Sequence, residues 1–162
     1  MAQMEQMQQV NSVQQEEIRK LFEGNSGSFL IFSINGHRYA YKSSLVKEIM
    51  YGAKVHELPF VPDYIEGVLN CRGNPYTVIN TLKMDAQNSE NQESTEIKEN
   101  VFLLFKREDD QLSIHISNIE NFFEPEEEDI LEDKVKYKMK YIPLFDSDRV
   151  ESILCKDLGK DD

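Results

Sequence analysis

Cysteine is scarce in this chain: two occur in 162 residues, Cys71 and Cys155, with no C-x-x-C and none of the dense spacing that staples small secreted domains. A disulfide framework is not indicated, and a reducing interior is the expected setting. Histidine is equally sparse. His37, His56 and His115 fall in separate segments, and no H-x-x-H, H-E-x-x-H or Cys/His cluster occurs, so no metal site is specified. Glycine numbers only seven. None is arranged as G-x-G-x-x-G or G-x-x-x-x-G-K, which removes the phosphate-cradling loop. A G-x-S-x-G elbow is missing, and Cys71 has only the adjacent Arg72 to lower its thiol pKa. No cofactor is implied and no enzyme is visible. Nowhere does the chain run apolar for the ~18 residues a membrane span requires. The start, MAQMEQMQQVNSVQQEEIRK, lacks the basic-then-apolar pattern of a signal peptide. A cytoplasmic protein without direct membrane insertion is expected.

Positive charge is the minority sign. Eighteen basic residues face 30 acidic ones, for a formal net charge of −12. A polyanion would have to overcome that field, so nucleic acid and anionic membranes are poor partners, while basic or mixed protein surfaces suit it. The one basic run, 134–140, directly follows 119–133, which holds eight acids and no base. That is a self-neutralising surface rather than the basic, aromatic groove of an oligonucleotide-binding barrel.

What the chain does contain is short β-patterned runs. Residues 1–27, rich in Gln and Glu and closing in GNSGS, read as a flexible or partly helical N-terminal tail. From Ser28 onward SFLIFSI and HRYAYK flank Asn35-Gly36, the strongest two-residue hairpin signal. SSLVKEIMYG reads as a turn and a strand with Val46 and Glu48 on one side, Lys47 and Ile49 on the other. PDYIEG reads as a single helical turn. GVLNC and PYTVIN are two strands hinged at Arg72-Gly73-Asn74, with the turn freedom assigned to Gly73 and Asn74. Residues 85–99 carry five acidic side chains and little apolar besides Ile97, the pattern of a solvated loop. NVFLLFK and QLSIHIS make a second hairpin around REDDQ, and NIENFF another strand. KVKYKMKY alternates as one half-buried strand with a lysine face, and IPLFDSDRVESILC reads as a hairpin around 146–149, followed by a short helix-like end. Nine or ten short strands without a βαβ rhythm define an all-β class.

The run FLIFSINGHRYAY, then LVKEIM, then LPFVPDYIEGVLNCRGNPYTVIN, resembles the CheW-like family of chemotaxis adaptors. That family's pattern is an F-L-x-F hairpin, a V-x-E-I strand, and P-x-x-I-x-G-V-x-N-x-R-G before a strand of the type P-V-I-D-L. Val46, Glu48 and Ile49 fill the second element; Pro62, Ile65, Gly67, Val68, Asn70, Arg72 and Gly73 fill the third. The resemblance covers about residues 28–158 and departs at Cys71, Thr77, Asn80 and Ser117, where the family commonly has Leu, Pro, Asp and Asp.

The resemblance implies two packed five-stranded SH3-like β-barrel subdomains with short helical turns, interleaved over 28–160. It implies a non-catalytic adaptor coupling the tip of methyl-accepting chemoreceptors to the regulatory domain of a CheA-type histidine kinase, at receptor arrays on the inner membrane. Val46, Glu48, Ile49, Gly67, Asn70, Arg72 and Gly73 are the implied partner-binding residues. Arg72, held at a turn, could engage either Glu48 or an acid on a partner bidentately. A CheW-like scaffold of another sensory pathway, or a small-ligand-binding β-barrel, remain as alternatives.

Overall fold

A computed structural model describes residues 27–86, 94–108 and 110–159. The tail expected over 1–27 therefore lies, apart from Gly27, outside the described residues. The described residues form ten strands: β1 (Phe29–Ile34), β2 (His37–Lys42), β3 (Val46–Tyr51), β4 (Ile65–Cys71), β5 (Asn74–Ile79), β6 (Val101–Phe105), β7 (Leu112–Ile116), β8 (Asn118–Phe123), β9 (Lys134–Tyr137) and β10 (Lys140–Pro143). Among the described residues two helices accompany them, α1 (Thr81–Ala86) and α2 (Ser147–Asp157), with 3-10 turns at Ser43–Leu45 and Glu127–Asp129.

The strands divide into two barrels. One combines the sheet β2-β1-β8 with the hairpin β10-β9; the other is the five-stranded sheet β3-β6-β7-β5-β4. Strand alternation explains how they share a core. In β1, Phe29 and Ile31 join Ala40, Val135, Tyr137 and Ile142 inside the first barrel. Leu30, Phe32 and Ile34 point the other way, into a cluster with Leu103 and Phe105 of β6 and Ile114 and Ile116 of β7. β6 mirrors this arrangement. Its Phe102 and Leu104 fill the second barrel with Leu69, Cys71, Tyr76 and Val78. β1 and β6 are buried on both faces, so they read in sequence as continuous apolar runs rather than as alternations.

Three hairpins turn through two residues, each with both φ values positive: Asn35 and Gly36 (47°, 88°), Arg72 and Gly73 (53°, 85°), Lys138 and Met139 (47°, 69°). This is the type I′ geometry whose twist matches that of the flanking strands. Only the first was legible as such. KVKYKMKY is a hairpin rather than one strand, with Tyr137 paired to Lys140 across the turn. Strict alternation continues through a two-residue turn and so conceals it.

The segment expected to make a hairpin at 146–149 starts α2, because the Asp146 carboxylate accepts the Arg149 amide at 3.1 Å as an N-cap. Val150 enters the shared core, with Ile153 and Leu154 packed against it at helical spacing. Within 85–99, Asp85 and Ala86 finish α1, and Ile97 is buried in the shared core; residues 87–93 lie outside the described residues. In PDYIEG the turn closes where the Ile65 amide donates to the Pro62 carbonyl (3.0 Å), and β4 begins at once. In β3 a bulge between Val46 and Glu48 breaks the expected alternation, so that Val46 and Ile49 both enter the shared core.

α2 is fastened to both barrels. The Tyr41 and Ser147 hydroxyls are 2.9 Å apart, Arg107 pairs with Asp148 and Glu151, Arg149 with Asp85, and the Tyr64 hydroxyl donates to Asp157 at 2.6 Å. Burial, then the bond to Asp157, push the Tyr64 phenol well above its ordinary pKa.

Candidate functional site

β3 and β4 are the two outer strands of the five-stranded sheet. Curling of the sheet brings their side chains together at a seam. The bulge at Val46/Glu48 turns Glu48 away from the shared core. One of its carboxylate oxygens accepts from the Cys71 thiol at 2.9 Å, and the other faces the Arg72 guanidinium at 3.3 Å. Glu48 is largely covered, its side chain 13% exposed, whereas that of Arg72 is 62% exposed. The guanidinium thus closes the seam with one nitrogen and presents the rest of its fork to solvent. Cys71, the last residue of β4, is buried and also supplies a hydrogen to the seam. Tyr76 packs in the same barrel interior; burial first, then Cys71 and Glu48, push its phenol above the ordinary value.

The turn that holds Arg72 is built by its neighbours. Asn70 accepts the Gly73 amide through Oδ1 at 2.8 Å. Gly73 takes one positive φ without cost. Arg72 takes the other, and Asn74, expected to share the bend, already belongs to β5. A left-handed conformation costs a non-glycine residue about 1–2 kcal/mol, and strain of this kind concentrates at functional positions.

The seven residues singled out in sequence divide by burial. Val46 and Ile49 are core residues, 4% and 1% exposed. Gly67 is buried at a bulge in β4 with φ 145°, and a Cβ there would stand 2.1 Å from the His56 carbonyl oxygen. Its structural task is to let residue 56 pair with Val68 through two 2.8 Å hydrogen bonds. Glu48, Asn70, Arg72 and Gly73 meet at the surface. Sequence reasoning missed two features: the thiol contact to Glu48, and a part-buried pair between His115 and Glu66 in the same barrel. The flanking Ile114 and Ile116 were the available sign of the second, since a strand buried on both faces must satisfy its polar residue internally.

Among the described residues no group of three His, Cys, Asp or Glu side chains could hold a metal ion, and no helix is long and apolar enough to cross a membrane. Two β-barrels on a common core, with a charged seam facing outward, define a β-barrel scaffold. Residues 28–144 match the model of the CheW-like domain family, and the chain belongs to that family, whose members serve as adaptors and scaffolds in chemotaxis. The crystal structure of scaffolding protein TtCheW from Thermoanaerobacter tengcongensis is similar to it with a TM-score of 0.61 and 17% identity, covering 75% of this chain and 90% of that one. At that identity the likeness concerns the fold. No curated protein matches the chain in sequence.

Proposed function

We propose that the chain is a non-catalytic adaptor that couples the tips of methyl-accepting chemoreceptors to the regulatory domain of a CheA-type histidine kinase, within receptor arrays at the inner membrane. The observation that carries this reading is Arg72: a solvent-facing guanidinium, on a residue of positive φ, fixed over a largely covered carboxylate. Residues 28–160 form the functional unit. Glu48, Asn70, Arg72 and Gly73 offer the contact face, and Val46, Ile49 and Gly67 shape it from beneath.

An exposed ion pair contributes about 0–1 kcal/mol to folding, whereas an arginine anchor at an interface contributes roughly 2 kcal/mol to binding. Arg72→Ala should therefore leave thermal unfolding nearly unchanged while weakening titration against a cognate kinase regulatory domain, or a receptor cytoplasmic fragment, by about thirtyfold. Unchanged affinity, or collapse of the fold, would remove Arg72 from this role. Absence of binding to both partners by the wild-type protein would reject the adaptor reading itself.

A further inference from the structure

β2 and β10 run in the same direction and meet at one end, where Ala40 and Leu144 form a single parallel bridge and the Phe145 amide donates to the Ala40 carbonyl at 2.9 Å. Toward their starts the strands flank a cleft of about 630 Å³ lined by residues 36–39 and 140–143. The hairpin turns decide which backbone groups face it. Ile34 pairs with His37 and Tyr137 with Lys140 around two-residue turns. Such a closing pair is hydrogen-bonded, and bonded pairs alternate from there. His37, Tyr39 and Tyr41 therefore bond to β1, and Lys140 and Ile142 to β9. Arg38 and Tyr141 direct N–H and C=O outward, into the cleft. The bonds from Phe145 to Ala40 and from Leu144 to Asp133 obey the same phase. Among the described residues neither Arg38 nor Tyr141 has a ladder partner on that side.

The charge of the cleft is opposite to that of the chain. Its lining holds His37, Arg38 and Lys140 and no carboxylate, in a protein of net charge −12. Arg38 pairs with Glu120 of β8, across β1 in the same sheet, at 3.0 Å. Lys140 has no ion pair among the described residues, and the exposed Tyr141 ring beside it lies under the Lys134 ammonium at 5.3 Å.

We propose that this cleft receives an extended, carboxylate-bearing segment of a partner protein, added as a strand between β2 and β10. Main-chain bonds to Arg38 and Tyr141 would hold the segment, and its acids would face Lys140. Pro143, lacking an N–H, ends the receptive edge where the strands converge. The site belongs to the first barrel, whereas the Arg72 seam closes the second.

The test uses the whole protein and a labelled peptide of about six residues alternating Glu and Thr, with a Lys/Thr peptide and a single-stranded oligonucleotide of equal charge as controls. Anisotropy should show salt-sensitive binding of the acidic peptide alone, with slowed hydrogen exchange at the Arg38 and Tyr141 amides. Lys140→Glu should weaken binding at least about tenfold, while Arg72→Ala leaves it unchanged, so that this site stands or falls separately from the proposed adaptor face. No binding at about 1 mM peptide, equal binding of the oligonucleotide, or binding without protection of those two amides would overturn the proposal. In the first case the lysine serves only to keep sheet edges of neighbouring copies apart.

Discussion

His115 and Glu66 form an ion pair inside the second barrel, Nδ1 lying 2.7 Å from the carboxylate, with side chains 10% and 23% exposed. The other ring nitrogen faces the Glu99 carbonyl at 2.5 Å, and Phe102 stacks on the ring with centroids 4.7 Å apart. Both polar neighbours are acceptors, so only an imidazolium can donate to both. Burial alone would lower the histidine pKa. The Glu66 hydrogen bond, the Glu99 carbonyl and the two nearby carboxylates outweigh it, and the net shift is upward from 6.5.

A histidine with a raised folded pKa contributes stability that is fully present below its unfolded pKa of about 6.5 and is lost as pH rises through the folded value. The urea midpoint should therefore fall as the pH rises from about 6.5, and His115→Gln should flatten that slope. A wild-type midpoint that holds level or climbs across this window would show that the ring is not held as a cation.

Gly67→Ala should be among the most damaging single substitutions. The added Cβ would lie 2.1 Å from the His56 carbonyl oxygen, which cannot retreat without losing its 2.8 Å bond from the Val68 amide. With the unfavourable φ of 145° added, the expected loss is about 3 kcal/mol or more by urea unfolding. A loss under about 1 kcal/mol would mean that the 53–58 segment is free to lift from β4.

Much of this was legible because the signals were local. Asn35-Gly36 announced its hairpin, and the apolar runs of β1 and β6 announced strands. The Arg72 turn was legible as a bend but not as to which residue carries the positive φ, since a composition favouring Gly73 and Asn74 says nothing about register. Lys138-Met139 gave no turn signal at all; the pairing of Val135 with Ile142 imposes it from outside. α2 was misread because its helical face exists only against the shared core, and its cap, Asp146, also suits a turn. The seam was half visible. Glu48 and Arg72 were matched to each other, but the thiol of Cys71 was not, since its contact depends on how far the sheet curls.

Asn80 lies where the family pattern carries aspartate, and the structure uses its amide as a donor. Nδ2 donates to the Thr95 carbonyl at 2.8 Å, and Oδ1 accepts the Lys83 amide at 3.1 Å, with the residue 1% exposed. Asn80→Asp would restore the family residue but set a buried carboxylate against a carbonyl oxygen. We expect a loss of about 2 kcal/mol at neutral pH, shrinking in acid as the introduced carboxyl protonates and regains a donor. Equal stability of variant and wild type at neutral pH would refute this assignment of the amide.

Phe60 presents the reverse case, a large apolar residue turned wholly to solvent. It is fully exposed and holds φ at 59° between Pro59 and Val61. Glycine would relieve about 1–2 kcal/mol of left-handed strain against an entropic cost of roughly 0.5–1 kcal/mol in the unfolded chain. Phe60→Gly should thus unfold at the same or a higher temperature, by up to about 1 kcal/mol of stability. Phe60→Ala, which keeps the strain and loses only the ring, should lie within about 0.5 kcal/mol of wild type. A drop beyond about 1 kcal/mol in either variant would mean that the ring packs against the chain after all. Stability retained in both leaves the strain without a folding benefit, which is the pattern expected of a residue kept for contact with another molecule.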